Sequence, residues 1–302
     1  MARIAVVLFG PEGRGGFNQA GLAGATRARA AAPELEVVWC EPPAPEARAE
    51  HLRALCRRGF DLIVAHGGQG DAPVALVAPA FPSVHFAITQ GACVAANVAC
   101  YEALQEQSAF LAGVLAATET RTGVVAHLSG ERVRPGLKGR AAFADGVARA
   151  APDVRLLTCF CGDQHDPELA YRTVTAQAAQ GADVLFAMID GGRPGAIRAC
   201  REHGVRQIGN VIDWTEREPD VFIASAIADS GACVERAVRD FGAGRLRVGE
   251  HQLIGIEAPD VVRLAISPLA SAAARAAVTR FAAMLGSGEI DPATEFSGVE
   301  MS

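Results

Sequence analysis

The side chains best suited to chemistry stand just after short apolar runs of the chain. Phe17 and Asn18 follow the run 4–9 through a glycine-rich loop, Gly10-Pro11-Glu12-Gly13-Arg14-Gly15-Gly16. His66 opens the loop His66-Gly67-Gly68-Gln69-Gly70-Asp71, and Gln90 sits in Thr89-Gln90-Gly91. Further along, Ser129-Gly130-Glu131-Arg132-Val133-Arg134, Asp190-Gly191-Gly192-Arg193, Asp213-Trp214 and Asp229 occupy equivalent places. An aromatic face beside an amide suits a flat heterocycle. Gln90 both donates and accepts, which suits reading a nucleobase edge. A carboxylate beside the Trp214 indole again suits a planar, hydrogen-bonding guest, with stacking worth about 1 kcal/mol. His66 could add one donor. Each residue also has a plainer role. Phe17 can staple the following helix, Gln90 can satisfy local backbone, Trp214 can cover a core edge, and a lone loop histidine is more often structural than catalytic.

Sets of residues that would do covalent chemistry are missing from the pattern. There is no GxSxG, no HExxH and no P-loop. The glycines of the first loop are out of register with GxGxxG, and no clear acidic residue follows at the expected distance, so no dinucleotide cofactor is expected. The eight cysteines are scattered without a CxxC pair and read as buried thiols, small hydrophobes that point toward a reducing compartment. Cys159, Cys161 and His165 match no common zinc spacing. These patterns favour binding over catalysis: no enzyme, no cofactor and no metal.

The elements that must position these loops follow from the spacing of apolar residues. Strand-like runs at 4–9, 35–39, 61–65 and 85–88 alternate with helical patterns at 19–31, 46–58 and 72–80. After a link near 97–101 the alternation restarts. Helices are expected at 102–117, 139–150, 168–180 and 196–203, and strands at 123–128, 154–160, 184–189 and 207–209. The remainder reads as strands 221–227, 253–256 and 262–266 with helices 231–241 and 271–285. Strand–helix alternation of this kind specifies parallel, doubly wound sheets. A chain of 302 residues suits two such α/β lobes, and ligands of open α/β sheets bind outside the strand C-termini. The net charge of −6, with Lys138 as the one lysine, gives no basic stripe, so no nucleic-acid partner is expected. No apolar stretch reaches the roughly 20 residues of a membrane span, and no signal-peptide pattern precedes the first strand.

Taken in order, these loops resemble the basic membrane protein family of bacterial substrate-binding proteins, the purine nucleoside receptors of ABC importers. Gly16-Phe17-Asn18-Gln19 is similar to that family's Ser-Phe-Asn-Gln loop. The segment 108–115, SAFLAGVL, resembles its "SYLAGVLAA" helix, and Phe143-Ala144-Asp145-Gly146 its "GFEAG" segment. The segment 180–186, QGADVLF, is similar to "QGADVIF", and Ile208-Gly209 begins a counterpart of "IGVDSDQ". The resemblance runs from about residue 4 to about 241. It implies a type I periplasmic-binding-protein fold: two Rossmann-like lobes joined by a three-strand hinge, closing on a small molecule. Lobe 1 would comprise 1–100 plus 229–258, and lobe 2 101–228 plus 259–302. It also implies that Phe17 stacks on the base and Asn18 bonds to it, an ABC permease as partner, and a periplasmic or cell-envelope location.

Three departures bear on the ligand. The family's base-reading aspartate corresponds to Gln90. The first "VDSD" aspartate, a ribose ligand, falls at Val211, while the second is kept as Asp213. A family lysine falls at Ala228, beside Asp229. Without that acceptor and that donor, ribose hydroxyls would go unpaired at about 1–3 kcal/mol each. The expectation is therefore a purine-like nucleobase rather than a nucleoside, with Trp214 filling vacated sugar space and with Phe17, Asn18, His66, Gln90, Asp190, Asp213, Trp214 and Asp229 as candidate contacts. A cytosolic ligand-sensing regulator of the same fold, or a nucleoside-processing enzyme on a doubly wound fold, are the alternatives.

Overall fold

A computed structural model of the chain describes residues 2–10, 12, 16–42 and 44–301. Part of the loop expected to present Phe17 (Pro11, Gly13, Arg14 and Gly15) lies outside the described residues. In chain order the elements are β1 (Ile4–Phe9), α1 (Gly16–Ala28), β2 (Glu36–Cys40), α2 (Pro45–Arg57), β3 (Leu62–His66), α3 (Asp71–Val77), β4 (His85–Thr89) and β5 (Val98–Ala103). Then come α4 (Gln105–Glu119), β6 (Val124–Ser129), α5 (Arg134–Ala150), β7 (Arg155–Phe160), α6 (Pro167–Ala179), β8 (Val184–Met188), α7 (Arg193–His203), β9 (Arg206–Asn210) and β10 (Phe222–Ala228). Last are α8 (Ser230–Gly242), β11 (His251–Ile254), β12 (Val262–Ile266) and α9 (Ala272–Gly286).

The chain divides into two units, 1–103 with 229–254 and 104–228 with 255–302, and so passes between them three times. The first unit holds a six-stranded sheet in the order β11-β5-β4-β3-β1-β2, with every pairing parallel. The second has the order β12-β10-β9-β8-β6-β7, parallel except for β12 against β10. The segment 97–101, expected as a link, is mostly strand: β5 pairs with β4 and β11, and the helix after it starts at Gln105. Val98, Ala99, Cys100 and Tyr101 are all buried, so this run satisfies a strand between two neighbours better than a connection.

Both sheets are covered by helices, so their central strands are apolar on both faces rather than alternating. All six residues of β1 are buried. In the second unit, α4 is buried almost all round, at twelve of its fifteen residues. It can be so only because α5 approaches it very closely. A Cβ on Gly113 would lie 2.1 Å from the Phe143 carbonyl oxygen, and one on Gly146 2.1 Å from that of Phe110. The spacing of these glycines in both segments is therefore a packing requirement of the α4–α5 crossing. Caps fix the helix ends: the Asp166 carboxylate accepts from the backbone amides of Glu168 and Leu169, and the Ser271 hydroxyl from that of Ala274. Among the described residues no helix is long and apolar enough to cross a membrane.

Candidate functional site

In an open α/β sheet the crevice forms where the strand order reverses, outside the strand C-termini. In the first unit that point lies between β1 and β3, so the loop leading to α1 and the loop after β3 bracket it. Phe17 is the second residue of α1 and His66 the last of β3. Their rings stack, with centroids 4.2 Å apart and planes 14° apart, and the Phe17 side remains 38 % exposed. The His66 Nε2 lies 3.1 Å from the Phe17 carbonyl and its Nδ1 2.8 Å from the Thr89 hydroxyl. A carbonyl only accepts, so Nε2 carries the proton and Nδ1 accepts from Thr89. Burial pushes the His66 pKa down to about 4, against the hydrogen bond to Phe17, which raises it. The ring is neutral at ordinary pH. Gly21 makes room for it, since a Cβ there would meet the imidazole at 2.5 Å.

This corrects one expectation. His66 does not offer a donor to a guest; both nitrogens are used within the protein, and it positions the first turn of α1. Asn18 is different. Its Nδ2 donates to the Phe9 carbonyl at 2.8 Å, while its Oδ1 is buried and has no partner among the described residues. That oxygen is an acceptor one residue from a partly exposed aromatic ring.

Gln90 and Asp229 also have structural work. Gln90 adopts φ 56°, uncommon for a side chain of this kind. Its Oε1 accepts from the Ala103 amide at 2.6 Å and its Nε2 donates to the Ala103 carbonyl at 3.3 Å. The amide expected to read a base instead closes the end of β5, where the chain leaves the unit. Asp229 caps α8 by accepting from the Ala232 amide at 3.1 Å and pairs with Arg27 at 2.8 Å. Both of its carboxylate oxygens are thus engaged within the unit.

In the second unit, the loops after β8 and β9 bring Asp190 and Trp214 to one cavity of about 720 Å³, which Arg193, Ile197 and Glu218 also line. Trp214 is also engaged within the unit. Phe222 stacks on it at 5.5 Å and the Arg193 guanidinium lies over the ring at 4.6 Å, while its Nε1 donates to the Asn210 carbonyl at 3.2 Å. The indole packs against the core edge and also lines the cavity. Asp213 accepts from the Thr215 amide and hydroxyl at 3.0 and 2.6 Å, folding its own turn.

Arg193 closes the loop singled out in the sequence but is not among the candidate contacts. It is 5 % exposed; among the described residues its guanidinium bonds only to neutral oxygens of Ile189 and Asn210 and has an Nη1 without a partner. Burial lowers its pKa to about 10, against the field of Asp190, which raises it. The readable signal was a cation in the first turn of a helix, opposed by the macrodipole. Val211, just before Asp213, has φ 71°, a strained conformation for a β-branched side chain. Among the described residues no group of three side chains could hold a metal ion, and all eight cysteines are unpaired.

Comparison with known proteins agrees with this architecture. The family described as ABC transporter substrate-binding protein PnrA-like (Bmp) matches residues 1–277. A purine-binding protein of Brucella abortus (strain 2308) is 24 % identical over 231 residues, 76 % of this chain and 65 % of that protein. The transcriptional activator protein Med of Bacillus subtilis (strain 168) is 25 % identical over 195 residues, 65 % of this chain and 61 % of that protein. The chain thus spans just under two thirds of both relatives. Among solved structures, an ABC transporter solute-binding protein from Aeropyrum pernix K1 superposes with a TM-score of 0.83 at 22 % identity, covering 97 % of this chain and 94 % of that one. A transcriptional activator of the comK gene from Bacillus halodurans gives 0.81 at 18 % identity, covering 97 % and 100 %. These likenesses show a periplasmic-binding-protein-like fold. With the match extending over most of its length, the chain belongs to the Bmp family of PnrA-like ABC transporter substrate-binding proteins.

Proposed function

We propose that this chain is the solute-binding component of an ABC importer, that it takes a purine-like small molecule, a nucleobase in preference to a nucleoside, and that it does no chemistry on it. The observation that carries the reading is the pairing of Phe17 with Asn18. A ring held from behind by neutral His66 stands next to a buried amide oxygen that has no partner among the described residues, at the switch point of a parallel sheet. A flat base with an N–H on its edge suits both groups. The similarity to a purine-binding protein supports the same class. On the sugar side, Val211 and Ala228 stand where the family has an aspartate and a lysine, which favours a ligand without ribose. Its partner would be the permease of the importer, and its setting the cell envelope.

Calorimetric titration with adenine, guanine, hypoxanthine, xanthine and their nucleosides tests this directly. The bases should bind more tightly than the matching nucleosides, and no product should form on prolonged incubation. Phe17→Ala should weaken base binding roughly five- to tenfold, the equivalent of about 1 kcal/mol of stacking, without unfolding the protein. Tighter nucleoside binding sinks the base preference, and unchanged affinity in the variant removes Phe17 from the site. A second reading, a ligand-sensing regulator of the same fold, is favoured by the likeness to two transcriptional activators. It predicts a change of oligomeric state or partner on ligand addition, with no affinity for a permease.

A further inference from the structure

In the other unit two arginines hold one of the chain's own carboxylates. Arg132, in the loop after β6, and Arg140, on α5, both lie over the Phe160 ring, each at 4.9 Å. Phe160 is the last residue of β7, so the two guanidinium groups stand at the C-terminal ends of β6 and β7, beside the switch point between β6 and β8. The Glu300 carboxylate lies between them. One oxygen accepts from Arg132 Nη1 at 3.0 Å and also from Arg140 Nη1, and the other accepts from Arg132 Nη2.

This arrangement differs from an ordinary surface ion pair in three ways. First, Arg140 is only 6 % exposed and its Nε has no partner among the described residues, so Glu300 satisfies the buried cation incompletely. Second, both arginines lie in the part of the chain that matches the family, whereas Glu300 lies beyond it, since the match ends at residue 277. Third, the segment that brings Glu300 is lightly held. Residues 293–299 are exposed apart from Phe296, which sits under Arg140 at 4.4 Å. They have no regular structure; among the described residues the chain at their two ends is tied by two single hydrogen bonds, Ala293 to Asp145 and Met301 to Thr158, and by the Met301 side chain, which packs against the apolar cluster that includes Leu157 and Val174.

We propose that Arg132 and Arg140, backed by Phe160, form an oxyanion-binding site at the strand C-terminal edge of the second unit, which Glu300 occupies until a carboxylate or phosphate group from outside the chain displaces it. Two guanidinium groups that already hold a carboxylate with three charge-assisted hydrogen bonds are equipped for a second oxyanion of the same shape. The tethered Glu300 acts as a competitor. If it holds the site nine-tenths of the time, a free anion sees only one-tenth of the protein as competent, and its apparent Kd is about tenfold weaker than the intrinsic one.

The test uses the full chain at constant ionic strength, with inorganic phosphate and acetate as separate probes and no purine present, so its outcome is independent of the purine reading. Glu300→Gln should bind one or both probes about tenfold more tightly than the wild type. Binding of phosphate alone assigns the site to phosphoryl groups, and binding of acetate assigns it to carboxylates. Adding Arg132→Gln to Glu300→Gln should abolish the gain. In the wild-type chain, the bound probe should also speed hydrogen exchange at the Met301 amide, a readout that requires no variant. Equal affinity in wild type and Glu300→Gln for both probes, or exchange at Met301 untouched by saturating probe, overturns the proposal and leaves Glu300 as a structural latch.

Discussion

Acidification from pH 7 to pH 5 should destabilise this protein through two histidines, and His66→Gln should remove about half of that effect. His66 and His127 are both fully buried and neutral. Burial lowers their pKa values from 6.5 to about 4 and about 3, helped at His127 by the field of Arg140. In the unfolded chain each would titrate near 6.5. Between those values the unfolded state binds more protons than the folded one, so stability rises with pH there. The stabilisation is present above pH 6.5 and is lost as pH falls toward 4. At pH 5 about 97 % of an unfolded histidine is protonated, against about a tenth of His66, which corresponds to about 2 kcal/mol for each residue. The paired carboxyls do not confuse this window. Burial works against the charge of Glu119, but hydrogen bonds from Ser271 and Arg206 outweigh it and hold that carboxyl below its usual range. Its contribution is lost only at lower pH. Urea denaturation at pH 7 and pH 5, on wild type and His66→Gln, is the assay. The variant will be less stable at pH 7, because the bond to Phe17 is altered, but its loss between the two pH values should be smaller than the wild type's by about 2 kcal/mol. An identical loss in both proteins refutes the assignment of His66 as a buried neutral group.

Further outcomes follow from single contacts. Gly113→Ala should cost about 1–3 kcal/mol or more in chemical denaturation, because its Cβ would lie 2.1 Å from the Phe143 carbonyl oxygen and the α4–α5 crossing must open to admit it. Gln90→Ala should cost about 1–3 kcal/mol, since the Ala103 amide and carbonyl lose their partners together; a change in melting temperature below one degree counts against that role. Val211→Asn should raise stability by about 1 kcal/mol, because asparagine tolerates the left-handed conformation that valine holds at φ 71°, and thermal unfolding would detect it.

The sequence made the framework legible because its signals were redundant. Continuous apolar runs such as 4–9 and 184–188, each followed by a helical pattern, leave few alternatives to a parallel sheet covered on both faces. The link expected at 97–101 failed for a physical reason. Val98-Ala99-Cys100-Tyr101 is short and follows a turn, and only its pairing with β11, more than 140 residues later, makes it an interior strand. Such a pairing leaves no local trace. The boundaries of α5 and α7 extend further toward the N-terminus than periodicity suggested, because each begins with an arginine followed by proline, which starts a helix without adding to its apolar stripe.

Site residues were less legible because a polar side chain after a strand can face either a guest or its own backbone, and residue type does not decide between them. Gln90 and Asp213 offer hydrogen-bonding atoms suited to a ligand; Gln90 spends both ends of its amide on the Ala103 backbone, and Asp213 spends one oxygen on the Thr215 amide and hydroxyl. His66 does so through a ring that is buried and neutral. The distinction lies in unspent capacity. Asn18 Oδ1, Arg193 Nη1 and Arg140 Nε are polar atoms taken out of water without a partner among the described residues, and each such atom carries a cost of about 1–3 kcal/mol or more if left so. All three lie in or near loops that follow strand C-termini, the edge at which open α/β sheets take their ligands. Other buried polar atoms without a partner among the described residues, those of Gln177, Gln207 and Gln252, lie within helices or strands, so it is unspent capacity together with a place near the strand C-termini that adds Arg193 and Arg140 to Asn18, and replacing these three one at a time is the shortest route from this fold to its ligands.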